Sequence, residues 1–192
     1  ATWTMQPTFR DDFSSDNFTD GGNGNIAVSG GSLAYNCGSG TSNSRSYYDL
    51  GTNVSETAWV LRWKQTSTTV SPSASSCHLG FGLSSNSGAY TVSGNGLCFV
   101  RGASTNANDN QYYLSRCTNA NYVELKRTSA TTVVATIFSD AYVTAVESET
   151  FTDLSGVTGL RYLKCASRSQ DVNTNNGTID DLEFYNGVSS IN

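Results

Sequence analysis

Apolar and polar residues alternate with a period of two along most of this chain. Trp59, Leu61 and Trp63 interleave with Val60, Arg62 and Lys64, and Leu79, Phe81 and Leu83 interleave with His78, Gly80 and Gly82. Successive strand side chains point to opposite faces, so each segment predicts a strand with one face in a core. Further strands are expected at 32–36, 45–50, 96–101, 111–115, 121–128, 131–138 and 159–166. Asn-Gly pairs beginning at Asn23, Asn95, Asn176 and Asn186 supply turns between them. The pattern predicts an all-β protein, an antiparallel β-sandwich of jelly-roll type with little or no helix. The stretch from Asp140 to Thr150 carries the β-branched Val143, Thr144 and Val146 without a clear apolar stripe, and is expected to be loop with at most one turn.

Two acidic-aromatic segments lie near opposite ends, FRDDF at 9–13 and TIDDLEFYNG at 178–187. They are expected to pair as strands and close one domain. Leu182 and Phe184 would then face the core, with Asp181 and Glu183 on the opposite face. Such pairing brings Asp11 or Asp12 towards Asp180 or Asp181, and like charges that close favour a shared cation. Calcium, which takes about six to eight oxygen ligands, suits these four as a structural site. The alternative is that they cap turns or bond neighbouring Ser and Thr groups. Residues 9–192 are expected to form a single sandwich domain. Residues 1–8 form an extension with Trp3 and Met5 on one face, able to add a strand to a neighbouring subunit.

A chain of 192 residues is long enough for one core without an obligatory metal or disulfide. Charged residues make up 14%, Pro7 and Pro72 are the two prolines, and Ser, Thr, Asn and Gly fill the polar positions. A formal net charge of −5 argues against nucleic acid, whose phosphates need clustered Lys and Arg. No apolar run reaches the roughly 18 residues that signal a membrane helix, so membrane insertion is not expected. The first residue is Ala1 and not Met, which raises the expectation of a removed upstream segment and a place outside the cell or on a cell or virion surface. Asn17, Asn53 and Asn176 head glycosylation sequons, in keeping with that location.

Cys37, Cys77, Cys98, Cys117 and Cys165 lack the Cys-x-x-Cys spacing of zinc or redox sites and are disulfide candidates whose pairing stays open. The odd one out is expected to be a buried small hydrophobe, the alternative being a bond between subunits. Catalytic signatures fail one by one. His78 is the single histidine and has no Gly-x-Ser-x-Gly motif near it. Glu147 and Glu149 share strand parity but fall where regular structure looks weakest. Tyr47, Tyr48, Tyr90, Tyr112, Tyr113 and Tyr122 are the aromatics expected near the surface, as cross-strand packing more than as sugar platforms. No catalytic residues and no enzyme activity are expected.

With these segments in place, the chain resembles the concanavalin A-like lectin/glucanase superfamily, in particular the laminin G-like jelly rolls of microbial and viral surface proteins. FRDDF, YYDLG (47–51), ETAWVLRWK (56–64), LGFGLS (79–84), the run 121–141, GLRYLK (159–164) and TIDDLEFYNG carry the resemblance, over about residues 9–188. Glucanases of the superfamily carry a Glu-x-Asp-x-x-Glu strand, and ESET at 147–150 does not match it. The resemblance implies a non-catalytic, lectin-like adhesion module with a glycan or cell-surface polysaccharide as partner. The alternative is a repeating subunit of an extracellular filament or virion surface, joined to copies of itself through residues 1–8. A glycan-degrading enzyme is a minor alternative.

Overall fold

The computed structural model describes residues 5–22, 24–37, 44–70, 77–88, 96–101, 112–113, 121–152, 157–169 and 175–191. They contain fourteen strands and no helix: β1 (Phe9–Asp11), β2 (Thr19–Gly21), β3 (Ile26–Ser29), β4 (Ser32–Cys37), β5 (Ser44–Asp49), β6 (Trp59–Val70), β7 (Cys77–Ser84), β8 (Gly96–Arg101), β9 (Tyr112–Tyr113), β10 (Asn121–Arg127), β11 (Val133–Phe138), β12 (Ala145–Phe151), β13 (Tyr162–Ser169) and β14 (Asn175–Asn186). One sheet runs β12-β11-β10-β6-β14-β4-β3, with β1 also paired to β14. The other runs β2-β5-β13-β7-β8-β9, antiparallel except where β9 joins β8 in parallel.

The alternation read from the sequence sets the two faces. Trp59, Leu61 and Trp63 of β6 are fully buried, as are Val123 of β10, Ile137 of β11, and Leu182 of β14. They meet Phe81, Leu83 and Leu163 from the second sheet, and the Trp63 ring stands edge-on to Phe81 with centroids 5.1 Å apart. That contact spans the sandwich and combines large apolar burial with favoured aromatic geometry. A buried polar chain runs beside it. Trp63 Nε1 donates to Gln65 Oε1 (3.2 Å), Gln65 Nε2 to the Tyr35 hydroxyl (3.4 Å), and that hydroxyl to the Thr66 carbonyl (3.5 Å). Arg127 is the largest buried cation. Its guanidinium donates to the carbonyls of Ser129, Val157 and Ala130, which ties the β10–β11 turn to the 157 segment, and its burial lowers its pKa from the usual arginine value.

The first and last strands do pair: Phe9, Arg10 and Asp11 lie opposite Phe184, Glu183 and Leu182. Pairing continues upstream, since Thr8 N–H donates to the Phe184 carbonyl (2.7 Å) and Asn186 N–H to Thr8 Oγ1 (2.9 Å). Met5 is exposed, and Trp3 lies outside the described residues. Cys165 is buried in the core; Cys117 and the side chains of Cys37, Cys77 and Cys98 lie outside the described residues.

Asn176-Gly177, expected to supply a turn, lies within β14 at a register shift, and the structure differs from the pattern-based expectation in two further places. The segment expected to be loop contains β12, which pairs with β11 and ends the sheet among the described residues. Its sequence hid it because an edge strand with little to bury shows no apolar stripe. Glu147 and Glu149 therefore sit on a strand, opposite Ile137 and Ala135, where inward-pointing charge disfavours further strand addition. The second difference is a bulge in β14 between Asp180 and Glu183, with Asp181 at φ 50°. One extra residue breaks the parity that would put Asp181 and Glu183 on one face, and instead aligns Asp180 and Glu183 outward. Leu182 and Phe184 remain buried, as expected.

Gly177 tests the packing of β14. It is buried, and a methyl group there would strike the Thr66 carbonyl and the Tyr35 hydroxyl. Gly177→Ala is expected to lower stability by about 2–3 kcal/mol through overpacking, read as a lower urea midpoint with unchanged slope.

Candidate functional site

The outward face of the larger sheet carries polar residues in rows set by strand register. Across β12, β11, β10, β6, β14 and β1, one row reads Ser148, Thr136, Glu124, Arg62, Glu183, Arg10. Charge alternates along its last four members. The row is bonded as well as aligned: Thr136 and Ser148 hydroxyls are 3.1 Å apart, and Arg62 Nε and Nη2 reach Glu124 Oε2 at 2.7 and 2.6 Å. Arg10 Nη2 lies 3.3 Å from Glu183 Oε1. Lys126 lies 3.9 Å from Glu124 Oε1, and the Tyr185 hydroxyl donates to Glu183 Oε2 (2.9 Å). Both oxygens of each central carboxylate thus face a donor. A neighbouring row places Phe138, Tyr122, Lys64 and Asp180 side by side.

A short strap, residues 139–144, folds over these rows from the β11–β12 connection. Asp140 organises it by accepting bonds from the Val143 and Thr144 N–H groups (3.0 and 2.7 Å) and the Thr144 hydroxyl (2.7 Å). These bonds hold its carboxyl below the usual aspartate pKa. The strap presents Tyr142, at φ 65°, a backbone region that bulky side chains seldom adopt. Its ring lies 4.5 Å from Arg62 Cζ and stands edge-on to Tyr122 and Phe138 at 5.3 and 5.7 Å. Its hydroxyl is buried with no hydrogen-bond partner among the described residues. Burial pushes the phenol pKa up strongly; Arg62 opposes, while Glu183, Asp181 and Glu124 add to the rise.

Beside the strap, the β14 bulge and the turn after β1 frame an open depression of about 470 Å³. Arg10, Asp11, Asp12, Ser14, Ser15, Asn17 and Asp181 line it. Three of the four acids expected to meet, Asp11, Asp12 and Asp181, are brought to this one place, and Asp180 is not among its walls. Asp11 is buried and already engaged: its oxygens accept from Phe13 N–H (2.7 Å) and Asn17 Nδ2 (3.3 Å), which fixes the turn carrying Phe13. Asp12 accepts from Ser14 N–H (3.0 Å), and bonding to Ser14 lowers its pKa. Asp180 accepts from the Asp181 amide (2.8 Å). Among the described residues no three His, Cys, Asp or Glu side chains are arranged to hold a metal ion. Asp11 and Asp12 cap the turn after β1 and Asp180 caps the Asp181 amide, while Asp12 and Asp181 stay exposed as outward acceptors.

Apart from Asn17, which lines the depression, the other sequence candidates are scattered. Asn17 and Asn53 are exposed, and Asn176 is half-buried within β14. Tyr47 packs edge-on against Tyr162, whereas Tyr48 turns inward to Phe9 and Phe18. Tyr90 and the side chains of His78, Tyr112 and Tyr113 lie outside the described residues. Sequence reasoning passed over Tyr142, Arg62 and Glu124. Two signals were there: Arg62 and Glu124 occupy the outward parity of their strands, and Asp140 precedes Thr144 at a spacing that closes a capped turn.

No protein-family model matches this sequence, and no curated protein matches it. Solved structures do. Lectin UEA-II in its galactose complex superposes with a TM-score of 0.60 at 12% identity, covering 92% of this chain and 98% of that one. The fold is the concanavalin A-like jelly roll. The carbohydrate recognition domain of Emp47p agrees, with a TM-score of 0.59 at 8% identity, over 93% of this chain and 94% of that one. The family 7 alginate lyase A1-II′ shares the jelly roll at a TM-score of 0.50 and 11% identity, over 87% and 85% of the two chains.

Tyr185 offers a check on the outward face. Burial, then its bond to Glu183, pushes its pKa up to about 12. An unfolded tyrosine ionises near pH 10, so the unfolded state loses its proton first. The stability that Tyr185 contributes is expected to be intact below about pH 10 and lost as pH rises towards about 12. Denaturant melts over that range read it, and Tyr185→Phe should flatten the fall.

Proposed function

We propose that this protein is a non-catalytic carbohydrate-binding module, and that sugar hydroxyls bind in the depression at the β14 bulge. The carrying observation is the mixture of groups there. Asp12 and Asp181 offer acceptors, while Arg10, Ser14, Ser15 and Asn17 offer donors, all on one open polar surface of a lectin-type jelly roll. A pyranose needs that mixture, because each hydroxyl both donates and accepts. Support for a non-catalytic reading comes from the central carboxylates: Glu124 and Glu183 face cations or a phenol and are not poised towards a substrate-sized gap.

The polar Ser-, Thr- and Asn-rich composition and the exposed sequon residue Asn53 support work outside the cell, as an adhesion module at a surface. One observation favours a second reading, a self-assembling surface subunit. Met5, on the N-terminal extension, is 44% exposed and available to a neighbouring copy. Removing residues 1–6, upstream of the Thr8 bonds to β14, would then abolish assembly seen by electron microscopy and spare glycan binding.

A glycan array tests the main reading. Binding to a defined set of glycans is expected in calcium and in chelator alike, since Asp11 is already engaged by Phe13 and Asn17 and Asp180 by the Asp181 amide. Replacing Asp12 and Asp181 together by Ala is expected to weaken binding at least about tenfold, roughly 1.4 kcal/mol. Only a small fall in melting temperature is expected, from the lost Ser14 cap and the positive φ at Asp181, because both side chains are exposed. Absence of binding in both buffers would refute the reading.

A further inference from the structure

The Tyr142 strap combines three features that packing alone does not account for. Its backbone sits in the left-handed region at an aromatic residue, its hydroxyl is buried without a partner among the described residues, and Arg62 and Glu124 lie beneath it. Strain of this kind persists only where the surroundings over-determine it, and an orphaned buried hydroxyl calls for an explanation. The bonds that shape the strap are internal to it. Asp140 holds Val143 and Thr144, and Ser139 N–H reaches the Thr144 carbonyl (3.0 Å). Ala141 and Val143 face solvent, Val143 with 81% exposure, so the Tyr142 ring is the strap's anchor on the sheet. Lifting the strap about Ser139 and Thr144 leaves the Asp140 turn whole and hydrates the Tyr142 hydroxyl.

We propose that Arg62 and Glu124 form a second carbohydrate subsite, roofed by Tyr142 in the resting protein, which takes a pyranose with two adjacent hydroxyls when the strap lifts. The chemistry beneath the roof suits that ligand. Arg62 turns Nε and Nη2 to Glu124 Oε2, which leaves Nη1 to donate and Glu124 Oε1 to accept, matching a vicinal pair of hydroxyls. Tyr122 and Phe138, released from the Tyr142 ring, offer aromatic faces to the sugar's C–H patch. Side-chain exposures of 17% for Arg62 and 9% for Glu124 leave both largely covered while the strap is closed. The closed state costs apparent affinity in proportion to its population. This subsite rests on the carbohydrate-binding reading and adds to it a site distinct from the depression.

The test uses the full chain, free galactose, glucose, mannose and N-acetylglucosamine as probes, and Tyr142→Gly, which removes the roof and relieves the backbone. At least one probe should bind Tyr142→Gly several-fold more tightly than the parent. Adding Glu124→Gln, or Arg62→Lys where the Gln variant melts early, should erase that gain. In the parent, saturating sugar should speed nitration of Tyr142 by tetranitromethane, read by peptide mass spectrometry. Unchanged affinity in Tyr142→Gly together with unchanged nitration overturns the subsite, and binding at the depression then still supports the carbohydrate reading. Failure of both the parent and Tyr142→Gly to bind any glycan overturns the two together.

Discussion

Backbone pairing along both edges of β14 is the constraint on which the rest of this molecule depends. One edge of Asn175–Asn186 is taken by β6 over most of its length; the other is shared by β4 at its start and β1 at its end. Among the described residues no other strand joins three partners, and through it the two ends of the described chain meet in the middle of a sheet. The inward side of β14 fixes Ile179, Leu182 and Phe184 in the core. Its outward side fixes where Glu183 stands relative to Arg62 and Arg10. The bulge lets one strand do both. It adds a residue between two partners, so that Leu182 can point in while Asp180 and Glu183 both point out.

Much of this was legible in the chain, for a physical reason. Where a strand has one dry face, every second residue must be apolar, and Trp59-Leu61-Trp63 or Phe81-Leu83 announce themselves. The pairing of the terminal segments was legible too, because Phe9 and Phe184 need the same core. What escaped was structure that buries little or breaks period. β12 exposes nearly all of its residues, and so leaves no apolar trace. The bulge at Asp181 is specified by the strands around it and not by a local signature. Asp11 was visible as an acid, but its task became clear only from the Phe13 amide it caps. Tyr142 was invisible as a site residue because its importance arises from Arg62 and Tyr122, distant in sequence and adjacent only through the register of β6 and β10.

Charge on this sheet behaves differently from charge scattered over a surface. Single exposed pairs contribute little. Here Glu124 and Arg62 are largely covered, and the row continues through Glu183 to Arg10, so removal of one member leaves its neighbours mismatched. Such a row favours one alignment of β10, β6, β14 and β1 over slipped alternatives, complementing the apolar rows on the inward side. The two faces of the sheet therefore specify the same register by different physics.

The pairing of Thr8 and β1 with the end of β14 also sets the order in which the molecule can be completed. The Thr8–Asn186 bond joins residues 178 positions apart. During synthesis β1 emerges first and waits for nearly the whole chain before its partner exists. Contacts that distant make folding slow, because a large loop must close before the contact that rewards it can form. Until then the β6 and β4 edges destined for β14 stand open, and β6 carries two tryptophans on its core side. The vulnerable period of this protein's life is accordingly the interval before its last strand arrives, when unpaired edges and exposed aromatic faces coexist.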